Sequence, residues 1–242
     1  MLSREKLLNL KEQYMTDPQS LAKIDMVIQT LAALDHQQLP LHRLPNLLED
    51  VKSLSRHPER LLLDAALAEL RETLIVNYGL WFLPNTDWVK DLARFAGPRP
   101  IVELMAGNAA LSAALEAQGH VVKAVDNLDW SGQDNERPVP WTTVSKQAAL
   151  TAVKESLRKA DDPNSQPIFV MAWAPDTSDD DWQILQYLRS QSQPFHLIVI
   201  GEKNGATNSK QFWQEADLEL NDVLNQHYRA FDMIQDAVYL VH

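Results

Sequence analysis

The sequence of 242 residues contains no cysteine. This absence excludes disulfide bonds, thiolate nucleophiles, cysteine-containing zinc sites and cysteine-ligated iron–sulfur clusters. A chain of this length buries roughly 70% of the surface of its unfolded state, so it needs neither a disulfide nor a metal to fold. Several classes of catalytic chemistry are thereby removed, and a globular fold is still expected.

Basic residues are scarce relative to acidic ones. There are 22 Lys and Arg against 33 Asp and Glu, which gives a formal net charge of −11 at pH 7. Such a surface repels the phosphate backbone of nucleic acids and the anionic leaflet of a membrane. The sequence has no local basic cluster that would offset this repulsion. The charge balance therefore disfavours general nucleic-acid binding.

Long apolar runs and two common catalytic signatures are also missing. No stretch approaches about 18 consecutive apolar residues, and the first segment, MLSREKLLNLKEQYM, is interrupted by charges, unlike a signal peptide. We expect a cytoplasmic protein that does not associate with a membrane. The sequence has no G-x-S-x-G elbow, which disfavours a hydrolase, and no H-x-x-x-H spacing, so we expect no metal site.

Glycine is nearly absent from the first 95 residues, where Gly79 is the only one. Apolar residues recur there at the spacing of three and four that is typical of helices. Helices are predicted near the N-terminus, from Asp17 or Ser20 to Leu34, and from Pro58 to Leu74. We interpret residues 1–95 as an N-terminal helical region that packs on the core of the protein.

Beyond this region, short apolar runs alternate with helical stretches. This alternation indicates an α/β domain over residues 96–242, with a mostly parallel sheet covered on both faces. The runs 229–234 and 237–241 are predicted to end the chain as an antiparallel hairpin. The other predicted strands are 101–104, 121–125, 142–144, 168–173 and 197–201, and the predicted helices follow residue 107 and cover about 147–159, 182–188 and 211–224.

Open parallel sheets bind ligands beyond the carboxyl ends of their strands, so we expect the chemistry just after residues 104, 125, 173 and 201. Small residues surround Gly107 there, which lets the backbone close on a ligand. Asp126 ends the second strand, 23 residues after Glu103. This interval is close to the step of roughly 20 residues that separates a glycine turn from a ribose-binding acid. A helix cap is the alternative role for Asp126.

The ends of the later strands carry further candidates whose roles the residues alone leave open. Trp173 and Pro175 offer a flat wall and a fixed backbone. Asp176 acts either as a base or as a helix cap. Glu202, in the polar loop after the fifth strand, is either a site residue or a solvated one. Trp81 either closes over a ligand or fills the junction between the helical region and the sheet.

These residues resemble the motifs of class I S-adenosylmethionine-dependent methyltransferases. Residues 103–109 are similar to the first motif of that family, an acidic residue that closes strand one before a glycine loop, and 119–126 are similar to its second strand and ribose acid. The resemblance covers about residues 78–215. The order of motifs is also similar to that of a little-characterised methyltransferase-like group: W-x-x-P (81–84), V-E-L-x-A-G (102–107), G-x-x-V-x-A-x-D (119–126), W-A-P (173–175) and G-E-x-x-G-A-T (201–207).

The resemblance implies a Rossmann-like, seven-stranded sheet with S-adenosylmethionine over the ends of its first two strands. It also implies roles in binding the cofactor and an unknown methyl acceptor. Glu103 would hold the amino end of the cofactor, Asp126 its ribose, and Asp176 or Glu202 would accept a proton. The remaining implied residues are Ala106, Gly107 and Asn108 on the methionine part, Asn127 beside the adenine, Trp173 beside the cofactor, and Trp81 and Pro175 at the acceptor pocket.

Departures from the family pattern keep two other functions open. Met105 and Ala109 replace the first and third glycines of the loop, the residues Val144 to Gln147 lack the acidic residue often found after strand three, and Ala206 stands where the group has cysteine. A degenerate relative that binds a nucleoside ligand or a protein partner, without turnover, is therefore the main alternative. A nicotinamide-dependent oxidoreductase is disfavoured because the turn lacks the third glycine that a pyrophosphate needs.

Overall fold

The computed structural model describes residues 1–133, 135–136, 138–159 and 166–242. Of the two predicted caps of the second helix, Asp17 is the one observed, because its carboxylate accepts from the backbone N–H groups of Gln19 and Ser20. None of the helices formed by these described residues is long and apolar enough to cross a bilayer. The helices that precede the sheet are α1 (Arg4–Gln13), α2 (Pro18–Leu34), α3 (Val51–Arg56), α4 (Leu61–Leu67), α5 (Leu70–Thr73) and α6 (Thr86–Ala96).

The prediction of one continuous helix from Pro58 to Leu74 is wrong. The chain forms a 3-10 turn over Pro58–Arg60, then α4, then α5, with a break before Leu70. Glu69 lies at this break and pairs with Lys6 at 2.7 Å, so a contact distant in sequence accompanies the interruption. A π-helical turn over Leu74–Tyr78 follows α5, and such turns are frequent at functional sites.

Within the described part of the chain, seven strands form one sheet in the order β3-β2-β1-β4-β5-β7-β6. Every pair from β3 to β5 is parallel, and β7 runs antiparallel to both β5 and β6. The central strands β1, β4 and β5 are buried along almost their whole length, because helices cover both faces of the sheet. The strands are β1 (Ile101–Leu104), β2 (Val122–Asp126), β3 (Val144–Lys146), β4 (Ile168–Ala172), β5 (His196–Gly201), β6 (Leu218–Leu220) and β7 (Ala237–Val241).

The two faces of the sheet are covered by different helices. On one face Trp88 of α6 is fully buried among apolar residues of the sheet, and on the other face Phe212 is fully buried. The helices that follow β1 are α7 (Ala110–Glu116), α8 (Ala149–Lys159), α9 (Asp180–Arg189), α10 (Lys210–Glu215) and α11 (Asp222–Asn225). The N-terminal helices build a third apolar cluster, which Ala110 and Phe231 join from the sheet side.

Two predictions near the C-terminus are wrong. The predicted helix 211–224 is divided into α10, β6 and α11, since Ala216 takes an extended conformation and Asn221 caps α11. The predicted strand 229–234 is irregular, but the predicted antiparallel pairing at the C-terminal end of the sheet is present, because β7 runs antiparallel to β5 and β6. Residues 226–236, which we call the C-terminal strap, run beside the N-terminal helices instead, where the carbonyl of Phe231 accepts from Leu47 N.

The helical region and the loop after β1 meet at Gly79. Asn108 donates its side-chain amide to the carbonyl of Tyr78 at 2.7 Å, which brings the loop directly onto the end of the π-helical turn. Gly79 has a φ of +62°, and a Cβ at this position would overlap Nδ2 of Asn108. The junction therefore requires glycine both for its conformation and for its lack of a side chain.

We expect Gly79→Ala to lower the free energy of unfolding by about 2–4 kcal/mol, because it adds a clash with Asn108 to the strain of left-handed backbone. Gly119→Ala is the matched control, since Gly119 ends α7 in a left-handed C-cap with a φ of +84° and has nothing within 4 Å of its Cβ position. It should cost only the backbone strain, about 1–2 kcal/mol. Chemical denaturation measures both variants, and equal losses would contradict the close approach at Gly79.

Candidate functional site

A cavity of about 580 Å³ lies at the carboxyl edge of the sheet, beyond β1, β2 and β4. This volume falls within the range of roughly 300–1,000 Å³ that is usual for small-molecule sites. The N-terminal helical region forms one side of the cavity, and the loops after the strands form the other. The chemistry-bearing residues on its wall are Arg71, Trp81, Glu103, Asn108, Asp126, Asn127, Trp130, Gln133, Gln147, Trp173, Asp176, Thr177 and Asp180.

The loop after β1 has an alternating left-handed backbone. Met105, Gly107 and Ala109 have φ values of +54°, +52° and +53°. For Met105 and Ala109 this conformation costs roughly 1–2 kcal/mol each, because their Cβ atoms crowd the backbone. The backbone of this loop thus has the left-handed conformation typical of glycine at Met105 and Ala109, although both residues carry a side chain.

Strain of this kind is concentrated at the edge of the sheet that holds the cavity. Seven non-glycine residues among those described have a positive φ, and six of them follow β1, β2, β4 or β5. Backbone in sparsely populated conformations clusters at functional sites, because the surrounding structure must hold it there. The six residues are Met105, Ala109, Leu128, Trp173, Asn204 and Asn208.

Glu103 is the buried acid at the base of the loop. Its Oε2 accepts from the backbone N–H of Ser112 at 3.0 Å and from the Ser112 hydroxyl at 2.5 Å. Burial raises the pKa of Glu103 to about 7, although the hydrogen bonds from Ser112 act in the opposite direction. The carboxylate is therefore held in place on one oxygen, while Glu103 also contributes to the wall of the cavity.

Asp126 connects the end of β2 to the loop after β1. Its Oδ2 accepts from Gly107 N at 2.8 Å, and its Oδ1 accepts from Leu128 N at 2.7 Å. Oδ1 also accepts a longer hydrogen bond from the indole N–H of Trp130, at 3.4 Å. These bonds fix the carboxylate at the cavity wall, because three donors from two different loops converge on it.

Three tryptophan side chains give the cavity an aromatic lining. Trp81 and Trp130 contact each other edge to face, with ring centroids 5.6 Å apart. Trp173 donates its indole N–H to Oδ2 of Asp236 at 2.8 Å, and Tyr228 donates its hydroxyl to the same oxygen at 2.8 Å. Burial raises the pKa of Asp236. The orientation of the Trp173 ring is thus set by a buried carboxylate of the C-terminal strap.

Arg71 reaches the cavity from α5. Its guanidinium forms a two-point ion pair with Asp232 and donates to the carbonyl of Trp81 at 2.7 Å. The guanidinium carbon also lies 4.3 Å from the centre of the Trp173 ring. Arg71 therefore ties the helical region, the strap and the end of β4 together at the cavity.

The structure brings ten of the eleven predicted site residues to the wall of the cavity. The exception is Glu202, whose Oε2 accepts from Ala206 N and whose Oε1 accepts from Gln235 N, both at 2.9 Å. Its carboxylate holds the loop after β5 against the strap. The predicted residues on the wall are Trp81, Glu103, Ala106, Gly107, Asn108, Asp126, Asn127, Trp173, Pro175 and Asp176.

Three residues of the cavity wall were not predicted from the sequence, namely Arg71, Trp130 and Gln147. Trp130 carried a usable signal, because it lies four residues after Asp126 at the end of a predicted strand. Gln147 lies in the segment after β3 where the methyltransferase family often has an acidic residue. Its backbone N–H donates to the carbonyl of Asp126 at 2.9 Å. Arg71 carried no signal, since it lies within a leucine-rich helical stretch and its partner Asp232 is 161 residues away.

The charge on the cavity wall is mainly negative. Among the described residues, four acidic ones (Glu103, Asp126, Asp176 and Asp180) and one basic one, Arg71, line the cavity, and the charge of Arg71 is offset by Asp232. Such a wall favours a ligand with positive charge, and its aromatic faces favour the same sign. Among the described residues no group of His, Asp and Glu is placed to hold a metal ion.

No protein-family model matches this sequence, and neither does any curated protein.

We expect the stability of the protein to fall as the pH rises from about 4.3, the ordinary pKa of Glu, to about 7, because folded Glu103 keeps a proton that the unfolded chain has released. Glu103→Gln removes this dependence. At pH 8 the variant should exceed the wild type in free energy of unfolding by about 1–3 kcal/mol. Denaturation from pH 4 to 8 measures this, with Glu12→Gln on the exposed side of α1 as the control. Parallel profiles for Glu103→Gln and the wild type would contradict it.

Proposed function

We propose that this protein binds S-adenosylmethionine in the cavity and transfers its methyl group to an acceptor. The observation that carries the proposal is the loop of residues 105–109, left-handed at every second residue and fixed through Gly107 N to Asp126 at the end of the neighbouring strand. A loop of this shape presents backbone to a ligand, and the acid beside it suits ribose hydroxyls.

The topology supports the location of such a site. The chain lays β2 and β3 on one side of β1 and then crosses to place β4 and β5 on the other side. The switch point of this arrangement therefore lies between β1 and β4, and ligands of open α/β sheets bind at such points. The cavity lies there. We accordingly propose that the sheet is a Rossmann-like sheet of the kind that the motif resemblance implies.

The residues on the wall fit the cofactor. Gly107 leaves open space, since a Cβ there would meet only the Trp130 ring, at 3.7 Å. Asp126 would share its remaining acceptor capacity with the ribose, and Asn127 lies beside it at the adenine end. Glu103 would accept from the amino group. When bound, S-adenosylmethionine supplies a methyl group on a positively charged sulfur: the acceptor forms a bond to the methyl carbon in line as the carbon–sulfur bond breaks, and the sulfur leaves as a neutral thioether.

Asp176 is the better of the two predicted proton acceptors. It is exposed on the cavity wall directly after Pro175, whereas both oxygens of Glu202 already accept backbone hydrogen bonds. A carboxylate at the mouth of the cavity can take the proton that an amine or hydroxyl acceptor releases. Trp173 and Trp81 would then orient the acceptor, because most of the barrier reduction in such a displacement comes from positioning.

One observation favours binding without turnover as the second candidate function. Met105 contributes to the cavity wall at the position where the methyltransferase motif has its first glycine. It would occupy space at the methionine end of the cofactor. In this second function the protein binds an adenosyl ligand but transfers no methyl group. Titration calorimetry with S-adenosylmethionine, followed by a search for methylated products, separates the two candidates.

We expect Asp126→Ala to weaken the binding of S-adenosylhomocysteine by about 1–3 kcal/mol, because a charge-assisted hydrogen bond to the ribose is lost. Asp129→Ala is the control, since Asp129 is an exposed acid three residues further along the same loop. Calorimetry measures the affinities, and thermal unfolding verifies that both variants are folded. Unchanged affinity in a folded Asp126→Ala protein would remove Asp126 from the site.

We expect Met105→Gly to tighten the binding of S-adenosylmethionine by about 2- to 10-fold, because glycine adopts the left-handed backbone without strain and leaves more room at the methionine end. Ala109→Gly is the control for strain alone, because Ala109 has almost the same φ but does not contribute to the cavity wall. Weaker binding by Met105→Gly would show that the methionine side chain contributes to the site.

A further inference from the structure

Arg71 is a charged group on the cavity wall that the proposed methyl transfer leaves without a role. It is 8% exposed, and it is the only basic side chain among the described residues that line the cavity. A buried arginine needs partners for its guanidinium, because unpaired N–H groups away from water are costly. The partners that Arg71 has therefore indicate what else it can bind.

The guanidinium of Arg71 has donors to spare. Of its five N–H groups, one on Nε and one on Nη2 bind Asp232, and one on Nη1 binds the carbonyl of Trp81. The remaining two N–H groups, one on each terminal nitrogen, have no partner among the described residues. The rings of Trp173 and Phe231 lie 4.3 and 4.6 Å from the guanidinium carbon, so the plane of the group is fixed by stacking.

Arg71 and Glu103 both contribute to the wall of the cavity. Leu104 of β1 pairs with Met171 of β4, so the loops that follow these two neighbouring strands leave the same edge of the sheet. Arg71 stacks on Trp173, and Glu103 lies at the base of the neighbouring loop. Both Ser112 hydrogen bonds reach Oε2 of Glu103, which leaves Oε1 without a partner among the described residues. The wall of one cavity thus offers a free acceptor on Glu103 and free donors on Arg71.

We propose that Arg71 binds the α-carboxylate of the amino-acid part of the adenosyl ligand, with Glu103 on the adjacent α-ammonium group. This inference rests on the proposed function. It assigns a partner to the α-carboxylate of the ligand, for which the motif resemblance gives none. An acid and an arginine together complement a zwitterionic amino acid. A phosphate suits the wall less well, because Asp232 already offsets Arg71 and four carboxylates line the same cavity.

The first test changes the ligand, so it does not depend on the folding of a variant. S-adenosylmethionine and decarboxylated S-adenosylmethionine differ at the carboxylate alone, and both are titrated into the wild-type protein. We expect the decarboxylated ligand to bind about 10- to 100-fold more weakly, the effect of a charge-assisted hydrogen bond. Equal affinities would overturn the role of Arg71. Binding of neither ligand would overturn the proposed function and this inference with it.

The second test changes the protein. Arg71→Gln combined with Asp232→Asn removes both charges, because removal of one alone would leave the other buried and unpaired. The matched control is Arg60→Gln combined with Asp17→Asn. These two residues form an ion pair at 2.8 Å, and neither of them lines the cavity. We expect the first double variant to bind the two ligands within about 3-fold of each other, and the control to discriminate like the wild type. Wild-type discrimination in the Arg71 double variant would overturn the inference.

Discussion

The hydrogen bond from Gly107 N to Asp126 holds the candidate site together. It is 2.8 Å long, and it joins the loop after β1 to the end of β2, the neighbouring strand. Without it, the left-handed backbone at Met105 and Ala109 would have less to hold it in place, since that backbone costs roughly 1–2 kcal/mol at each residue. The fold therefore maintains a strained loop at the edge of the sheet, and this is the main physical reason to regard that edge as functional.

The N-terminal helices are part of the site and not only a cover for the sheet. Gly79 and Asn108 bring the end of the π-helical turn onto the loop after β1, and Arg71 reaches across to the strap and to Trp173. Trp81, between α5 and α6, forms an aromatic wall with Trp130 from the opposite side. A sheet without these helices would lack one side of the cavity and its only basic side chain among the described residues that line it.

The parts of the structure that depend on local pattern could be predicted from the sequence. The strands β4 and β5 are largely apolar runs, β1 is apolar except for Glu103, and Asp126 at the end of β2 follows Glu103 by 23 residues. The break before Leu70, the irregular strap and the contribution of Arg71 could not be predicted. Each depends on partners far away in the chain, such as Lys6 for Glu69 and Asp232 for Arg71, and no local periodicity encodes such pairs. The run 229–234 resembled a strand because it is short and largely apolar, but Phe231 packs into the apolar cluster of the N-terminal helices and Asp232 pairs with Arg71.

The most direct test of this account is a crystal structure of the protein grown with saturating S-adenosylhomocysteine. We expect the adenosine over the ends of β1 and β2, with its ribose on Asp126. The amino-acid part of the ligand is expected to contact Glu103 and Arg71. An empty cavity at saturating ligand, or a ligand bound away from the loop of residues 105–109, would contradict the central claim that this strained loop is a cofactor-binding site.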